Sequence, residues 1–317
     1  MPELSDRDVF REIAGLTTEA VNPRTHGLDA KPVREVLALL NDEDQAVPLV
    51  VRGQLDAIAR AVELVVERLK RGGRLFYIGA GTSGRLGVLD AAECPPTFGT
   101  DPGLIRGLIA GGSTALERAV EGAEDNVETA PAALLAHGLK PEDVVIGIAA
   151  SRRTPFVVAG LRFARAQGAG TVLLSTNALP ADPAAAGPGL TLGEVDVAIC
   201  PEVGPEAIMG STRLKSGTAQ KLVLNMISTA TMVELGKVYD NLMVDLRATS
   251  RKLGERAKRL VMMTTDCDYD RATALLAAAG GRVKVAILIG RLGLDPAAAE
   301  RRLEVAGGRV RRALGEE

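Results

Sequence analysis

The sequence predicts an α/β protein with a doubly wound parallel sheet, preceded by N-terminal helices and followed by a C-terminal helical bundle. Three observations support this fold class. Short apolar segments alternate with helical segments between residues 74 and 200, and parallel strands need such crossover connections. Aromatic residues make up 3% of the 317 residues and Trp is absent, so an aliphatic core typical of a sheet buried on both faces is expected. From about residue 214 the pattern is helical to the end.

The predicted elements follow from the periodicity of apolar residues. Residues 31–70 repeat apolar positions at helical spacing, and a glycine pair at 72–73 ends this region. A helix that begins near Ser113 is predicted to carry Glu121 and Glu124. The five predicted strands cover residues 74–79, 104–110, 144–149, 171–175 and 195–200.

A glycine- and hydroxyl-rich loop, Gly79-Ala-Gly-Thr-Ser-Gly84, follows the first strand. Gly79, Gly81 and Gly84 are predicted to take positive φ and to bring the backbone close to a ligand. Thr82 and Ser83 supply hydroxyl and N–H donors at the positive end of the next helix, where anions bind. The sequence therefore predicts a phosphate-binding loop.

The loop differs from both common nucleotide signatures. Its Gly-x-Gly-x-x-Gly pattern matches dinucleotide loops, which also need an acidic residue at the end of a second strand about 20 residues later. That region is Glu93-Cys-Pro-Pro-Thr-Phe-Gly99, which we interpret as a helix stop. The Gly-Lys-Ser/Thr of a Walker loop is missing. A small phosphorylated metabolite is therefore the expected ligand.

Two further polar segments are candidates for the same site. In an open parallel sheet, ligands lie outside the carboxyl ends of the strands, so the loops after the first and third strands are expected to converge on one crevice. The candidate ligands in the second loop are Ser151, Arg153 and Thr154. A third run opens a later helix and contributes Ser211, Arg213 and Lys215, which are equally typical of a solvated first turn.

Charge and composition exclude several function classes. The net charge is −2 and no basic run occurs, so nucleic acid is not an expected partner. The N-terminus is polar and acidic, and no apolar run approaches the ~20 residues of a membrane span, so we expect a cytoplasmic protein. Three separated cysteines and two histidines offer neither a disulfide framework nor a metal cluster. No cofactor is expected, and proton transfer falls to carboxylates.

Several long strings carry a resemblance to a known family. They are Leu16–Thr25, Leu40–Asp44, Gly79–Gly87, Leu89–Gly99, Gly107–Gly112, Ala119–Asp125, Gly217–Asn225 and Gly236–Asp245. Together they resemble the N-acetylmuramic acid 6-phosphate etherases, over nearly the whole chain. The resemblance implies the sugar isomerase (SIS) fold and a lyase without a cofactor, which splits the lactyl ether of a sugar phosphate during cell-wall recycling.

The resemblance also implies roles for individual residues. The catalytic glutamates of the family fall on Glu93, as the acid that assists lactate departure, and on Glu124, as the candidate base at C2. From the residues alone, Glu93 is more typical of a solvated last-turn residue, and Glu124 of an exposed acidic helix face. The implied phosphate and sugar ligands are Gly81, Thr82, Ser83, Ser151, Arg153 and Thr154, with Ser211, Arg213 and Lys215 as lining.

The same resemblance predicts three regions and a homodimer. The regions are an N-terminal helical arm over 1–58, an SIS domain that binds the sugar phosphate over 59–225, and a helical region with a UBA-like bundle over 226–317. Two alternatives stay open: an aldose–ketose isomerase of the same fold, and a non-catalytic sugar-phosphate sensor, because the glucokinase regulatory protein resembles this family too.

One position departs from the family pattern. The family has Ser-Gly-Arg-Thr-Pro where this chain has Ser151-Arg-Arg-Thr-Pro155. An arginine with positive φ would strain the loop. We expect negative φ at Arg152, because the other motifs are intact and a strained loop would position the ligand poorly.

Overall fold

The computed structural model describes residues 15–182, 187, 189–246 and 251–316. These residues form two compact units. The first unit contains the described residues of Met1–Ala92 and Gly103–Ile227. The second contains those of Glu93–Pro102 and Ser228–Glu317. The sheet belongs to the first unit and a helical bundle to the second.

A five-stranded parallel sheet forms the centre of the first unit. Its strands are β1 (Leu75–Gly79), β2 (Ile105–Ile109), β3 (Val144–Ala149), β4 (Gly170–Ser175) and β5 (Val197–Ile199). Their order is β2-β1-β3-β4-β5, and every neighbouring pair is parallel. Because β2 and β3 lie on opposite sides of β1, the strand order changes direction there, and open α/β sheets bind ligands at such a point. The predicted fold class is confirmed.

The helices that begin in the first unit connect and cover the strands. They are α1 (Val33–Gln45), α2 (Val47–Arg52), α3 (Leu55–Lys70), α4 (Gly81–Phe98), α5 (Thr114–Glu117), α6 (Thr129–Ala136), α7 (Pro155–Ala166) and α8 (Lys215–Glu234). Helix α3 shows why these sequences are helical. It buries a single apolar stripe with members three or four residues apart, including Ile58, Val62 and Val65.

The core of the first unit is largely aliphatic, as the composition predicts. Every residue of β1, β3 and β4 is buried. Packing against the sheet is close: a Cβ atom on Gly147 of β3 would lie 2.6 Å from side-chain atoms of Leu161 and Val157 on α7. The sheet is therefore a rigid platform for the loops at its carboxyl edge.

The second unit contains a helical bundle. Its later helices are α9 (Arg251–Thr265), α10 (Tyr269–Ala278), α11 (Val283–Leu292), α12 (Pro296–Val305) and α13 (Val310–Leu314). They share one core that includes Val261, Leu275, Ile287, Leu303 and Val310. Within the described ranges, no single helix is long and apolar enough to cross a membrane; α10 and α11 meet that test only as a pair, bent by 113°.

The structure tests two sequence predictions about helices. The helix predicted over Glu121 and Glu124 is wrong: the helix after Ser113 ends at Glu117, where Arg118 is extended, and Glu124 lies in a separate 3-10 turn, Ala123–Asp125, that follows Gly122. The helix does stop within the predicted segment Glu93–Gly99, although the prolines there do not end it. Helix α4 continues through both prolines to Phe98, and Gly99, with φ of 62°, follows its last residue.

Candidate active site

The first glycine- and hydroxyl-rich loop joins β1 directly to α4. Gly81 begins the helix with φ of 52°. The predicted positive φ at Gly79 and Gly84 is wrong; these two glycines are needed for close packing instead. A Cβ atom on Gly84 would lie 2.6 Å from the Gly79 carbonyl oxygen and equally close to Cγ1 of Ile109. The strand and helix backbones therefore touch, which fixes the loop between them.

The two hydroxyl residues of this loop pack against α8. The Ser83 side chain is buried, and its Oγ donates a hydrogen bond to Oε1 of Gln220 at 2.9 Å. A Cβ atom on Gly217 would lie 3.3 Å from Cγ2 of Thr82, so the glycine lets the helix approach. Gln220 has no predicted role, although it lies in the family string Gly217–Asn225.

The second loop begins next to the first at the carboxyl edge of the sheet. β1 and β3 are neighbours, with Gly79 in register with Ile148. Residues 151–155 that follow are all partly buried. Thr154 is the N-cap of α7, yet among the described residues its side chain makes no capping hydrogen bond. Its hydroxyl is therefore not committed to the helix.

The backbone at Arg152 agrees with expectation. Over the described ranges, the non-glycine residues with positive φ are Asp240 and Asp266. Arg152 therefore has no left-handed backbone conformation, and its carbonyl oxygen accepts a hydrogen bond from the Leu190 N–H at 3.3 Å. The loop accommodates arginine where the family has glycine without strain from φ.

The third polar run, which contains Ser211, Arg213 and Lys215, makes contacts within the protein at its carboxyl end. The Glu206 carboxylate is fully buried and accepts hydrogen bonds from the N–H groups of Lys215 and Ser216, both at 2.9 Å. It caps the N-terminus of α8. Ser211 is half-buried and Arg213 exposed ahead of the helix. An anion could reach these two side chains, but the capped N–H groups already have a partner.

Lys215 is also engaged within the protein. It is buried, and its Nζ lies 2.6 Å from Oε2 of Glu43, itself buried on α1. Asn22 and Arg24 contact the same carboxylate, at 2.8 and 2.6 Å. Burial acts to raise the pKa of Glu43, but the hydrogen bonds of Lys215 and Asn22 and the charges of Lys215 and Arg24 outweigh it and hold the pKa below its ordinary value. The network gives Lys215 a structural role that the sequence does not show.

The N-terminal segment also reaches the second loop through Asn177. Oδ1 of Asn177 accepts hydrogen bonds from the N–H and hydroxyl of Thr17, each at 2.9 Å. Nδ2 of the same residue donates to the carbonyl oxygen of Ala150 at 3.0 Å. Ala150 directly precedes Ser151, so this buried amide links residue 17 to the loop that would bind phosphate.

Glu124 lies at a cavity next to the first loop. The cavity has a volume of about 140 Å³, and its lining includes Gly81, Arg85, Glu121 and Glu124. Burial of the carboxyl, with the nearby charges of Asp125 and Glu121, raises the pKa of Glu124. This places a carboxyl group of increased basicity beside the start of α4.

Glu93 belongs to the second unit. It lies on α4, the helix that begins at the first loop, and its side chain is exposed to solvent. In the part of the chain that the structure describes, no group of three or more His, Cys, Asp or Glu residues is placed to hold a metal ion. Among the described residues, Cys94, Cys200 and Cys267 form no disulfide bond.

Known proteins match this chain both over the sheet region and over nearly its full length. The model of the glucokinase regulatory protein N-terminal SIS domain matches residues 57–165. An N-acetylmuramic acid 6-phosphate etherase of Salinibacter ruber is 53% identical, over 99% of both chains. One of Mesorhizobium japonicum is 50% identical, again over 99% of both.

The chain belongs to the N-acetylmuramic acid 6-phosphate etherase family. Among solved structures, a phosphoheptose isomerase from Neisseria gonorrhoeae superposes with a TM-score of 0.44 and 15% identity, over 62% of this chain and 97% of the other. Against the etherase family pattern, the departure noted above is Arg152, and the structure shows that its backbone is not in the left-handed region.

Proposed function

We propose that this protein is a carbon–oxygen lyase that cleaves the lactyl ether of N-acetylmuramic acid 6-phosphate. The products are N-acetylglucosamine 6-phosphate and D-lactate, a step of peptidoglycan sugar recycling. Full-length identity of 53% and 50% to etherases supports the proposal. The structural observation that carries it is the position of Glu124, whose pKa is raised, at the cavity that Gly81 also lines.

The chemistry needs a base and an acid. The sugar must first open, because the proton at C2 is acidic only when C1 is a free aldehyde. A base removes that proton, and an acid protonates the ether oxygen at C3 as lactate departs. Water then adds at C3 of the unsaturated aldehyde. No electrons are gained or lost overall, so the sequence of steps requires no redox cofactor.

Glu124 suits the role of base. A raised pKa gives its carboxylate greater affinity for the C2 proton. Glu93 would supply the proton to the leaving oxygen and recover it when water adds. The two carboxylates belong to different units, so the proposal requires that both reach one substrate, within one chain or across two copies.

The phosphate would bind at the carboxyl edge of β1 and β3. The N-terminus of α4, with the hydroxyls of Thr82 and Ser83, supplies donors on one side, and Ser151, Arg153 and Thr154 supply donors on the other. Charge-assisted hydrogen bonds of this kind hold a phosphate dianion without a metal. Gly81, Ser211 and Arg213 complete the proposed lining. Lys215, which forms a buried ion pair with Glu43, supports this lining from within the protein.

Location, assembly and cofactor independence belong to the same proposal. We place the enzyme in the cytoplasm as a homodimer. Helix α1 leaves Val33 and Leu37 exposed, at 76% and 57%, and its buried residue is Glu43. This apolar surface suits a second copy of the chain.

Activity is expected to survive exhaustive chelation and to require no nucleotide. Recovery of activity by a divalent ion, after its loss in chelator, would contradict this expectation.

The decisive experiment is incubation with N-acetylmuramic acid 6-phosphate and an assay for free D-lactate. We expect release of lactate together with N-acetylglucosamine 6-phosphate. Glu124→Gln should abolish most of it, whereas Glu117→Gln, an exposed acidic residue at the end of α5, should not. Interconversion of aldose and ketose phosphates without lactate would favour an isomerase, and binding without turnover would favour a sensor.

A further inference from the structure

The amide of Gln220 is only half satisfied. Its side chain is 1% exposed on α8, and Oε1 accepts the hydrogen bond of the Ser83 hydroxyl at 2.9 Å. Within the part of the chain that the structure describes, Nε2 is buried and has no hydrogen-bond partner. Native proteins rarely leave a buried amide N–H₂ unpaired, because its desolvation is not compensated.

The contact also leaves Ser83 unable to act as a phosphate donor. A hydroxyl group has one proton, and the proton of Ser83 points to Gln220. The oxygens of a phosphate dianion are acceptors only. With this arrangement Ser83 would present lone pairs to the phosphate, and the two groups would repel each other.

Rotation of the Gln220 amide would free the Ser83 proton for the ligand. We propose that Gln220 is a positioning residue whose amide rotates by half a turn when phosphate binds, so that Nε2 donates to Oγ of Ser83 and the Ser83 proton turns to the ligand. This inference rests on the proposed phosphate site at the Thr82–Ser83 loop. Rotation exchanges the two amide atoms, so each orientation leaves one of them unpartnered.

The rotation makes the loop selective for an acceptor. A phosphate oxygen gains the Ser83 proton only in the rotated arrangement, so phosphate shifts the amide to that orientation by its differential affinity. A sugar hydroxyl, which can donate, suits the resting arrangement. Packing of Thr82 against Gly217 fixes the loop next to α8, so the change is confined to one amide and one hydroxyl proton.

Two substitutions separate this role from simple packing. Gln220→Glu keeps the shape but can only accept when ionised, so it holds the Ser83 proton away from phosphate. Gln220→Leu removes both amide atoms and leaves the hydroxyl free to donate. If Gln220 only packed against its neighbours, the nearly isosteric glutamate variant should bind phosphate more tightly than the leucine variant. The proposal predicts the opposite order of phosphate affinity.

The measurement is equilibrium binding of inorganic phosphate by titration calorimetry at pH 8, which needs no turnover. We expect Ser83→Ala and Gln220→Glu each to weaken binding at least about tenfold, as for the loss of a hydrogen bond to a charged group. Gln220→Leu should weaken it no more than about threefold. Thr218→Ala, an exposed residue on the same helix, should leave it unchanged.

The same titrations in the Ser83→Ala background test whether Gln220 acts through Ser83. The loss caused by Gln220→Glu should shrink there, and that caused by Gln220→Leu should vanish. An undiminished loss for Gln220→Glu would indicate direct charge repulsion and overturn the proposal, as would equal losses for both Gln220 variants. If Ser83→Ala itself left phosphate binding intact, the proposed phosphate site would fail, and this inference with it.

Discussion

The ammonium group of Lys215 lies 2.6 Å from a carboxylate oxygen of Glu43, and both side chains are buried. The pair joins the first residue of α8 to helix α1, and Asn22 and Arg24 extend it to the N-terminal segment. These contacts therefore anchor the first turn of α8 to helix α1 and to the N-terminal segment. This matters because α8 also carries Gln220, the partner of Ser83.

Breaking this pair should be costly. Lys215→Met leaves the Glu43 carboxylate buried without its closest cation, and loss of one partner of a buried pair typically destabilises by about 3–5 kcal/mol. Arg24 still contacts Glu43, so the lower end is expected. The free energy of urea-induced unfolding measures the effect.

The matched control removes both charges. Lys215→Met combined with Glu43→Leu should be less destabilised than the sum of the single variants, because neither charge is then buried alone. Strict additivity would show that the two side chains do not interact in solution.

The pH dependence of stability should report the Glu43 carboxyl. Its folded-state pKa lies below the ordinary value of 4.5, so its contribution is present above that value and is lost as pH falls through the folded-state pKa. Glu43→Gln should therefore flatten the decline of unfolding free energy below about pH 4.5. A decline as steep as in the unaltered protein would contradict this.

Two helical glycines should respond to alanine with opposite signs. At Gly84 the new Cβ would lie 2.6 Å from a backbone oxygen, and overpacking of this kind costs about 1–3 kcal/mol. At Gly254 in α9 nothing lies within 4 Å, so alanine should stabilise by about 0.5–1 kcal/mol through helix propensity. Thermal unfolding of both variants measures the signs; stabilisation by Gly84→Ala would contradict the close contact of β1 with α4.

Arg152→Gly should have a small effect. Because φ at Arg152 is not positive, glycine relieves no strain. Arg152 is only partly buried, so substrate affinity should change only a few-fold, within the ~1 kcal/mol typical of surface charge pairs. Stability should fall slightly because glycine adds backbone freedom to the unfolded state. A tenfold or larger gain in activity would show that arginine impairs the loop.

The sequence predicts local features of this fold better than distant pairings. The apolar strands and the loop at Gly81 depend on nearby residues, and the structure places them as expected. Lys215 and Glu43 are 172 residues apart, so their pairing cannot be seen from spacing. The predicted helix over Glu121 and Glu124 fails earlier, because Arg118 takes an extended backbone conformation directly after Glu117.

In the proposed mechanism, two carboxylates divide the proton transfers of an elimination. In ²H₂O, proton NMR of N-acetylmuramic acid 6-phosphate follows exchange at C2, and a lactate assay follows cleavage in the same sample. Glu93→Gln should reduce cleavage at least ~10²-fold while C2 exchange persists, because the acid is lost and the base retained. Glu124→Gln should reduce exchange and cleavage together. Near-normal lactate release by Glu93→Gln, or continued C2 exchange in Glu124→Gln, would contradict this division of roles.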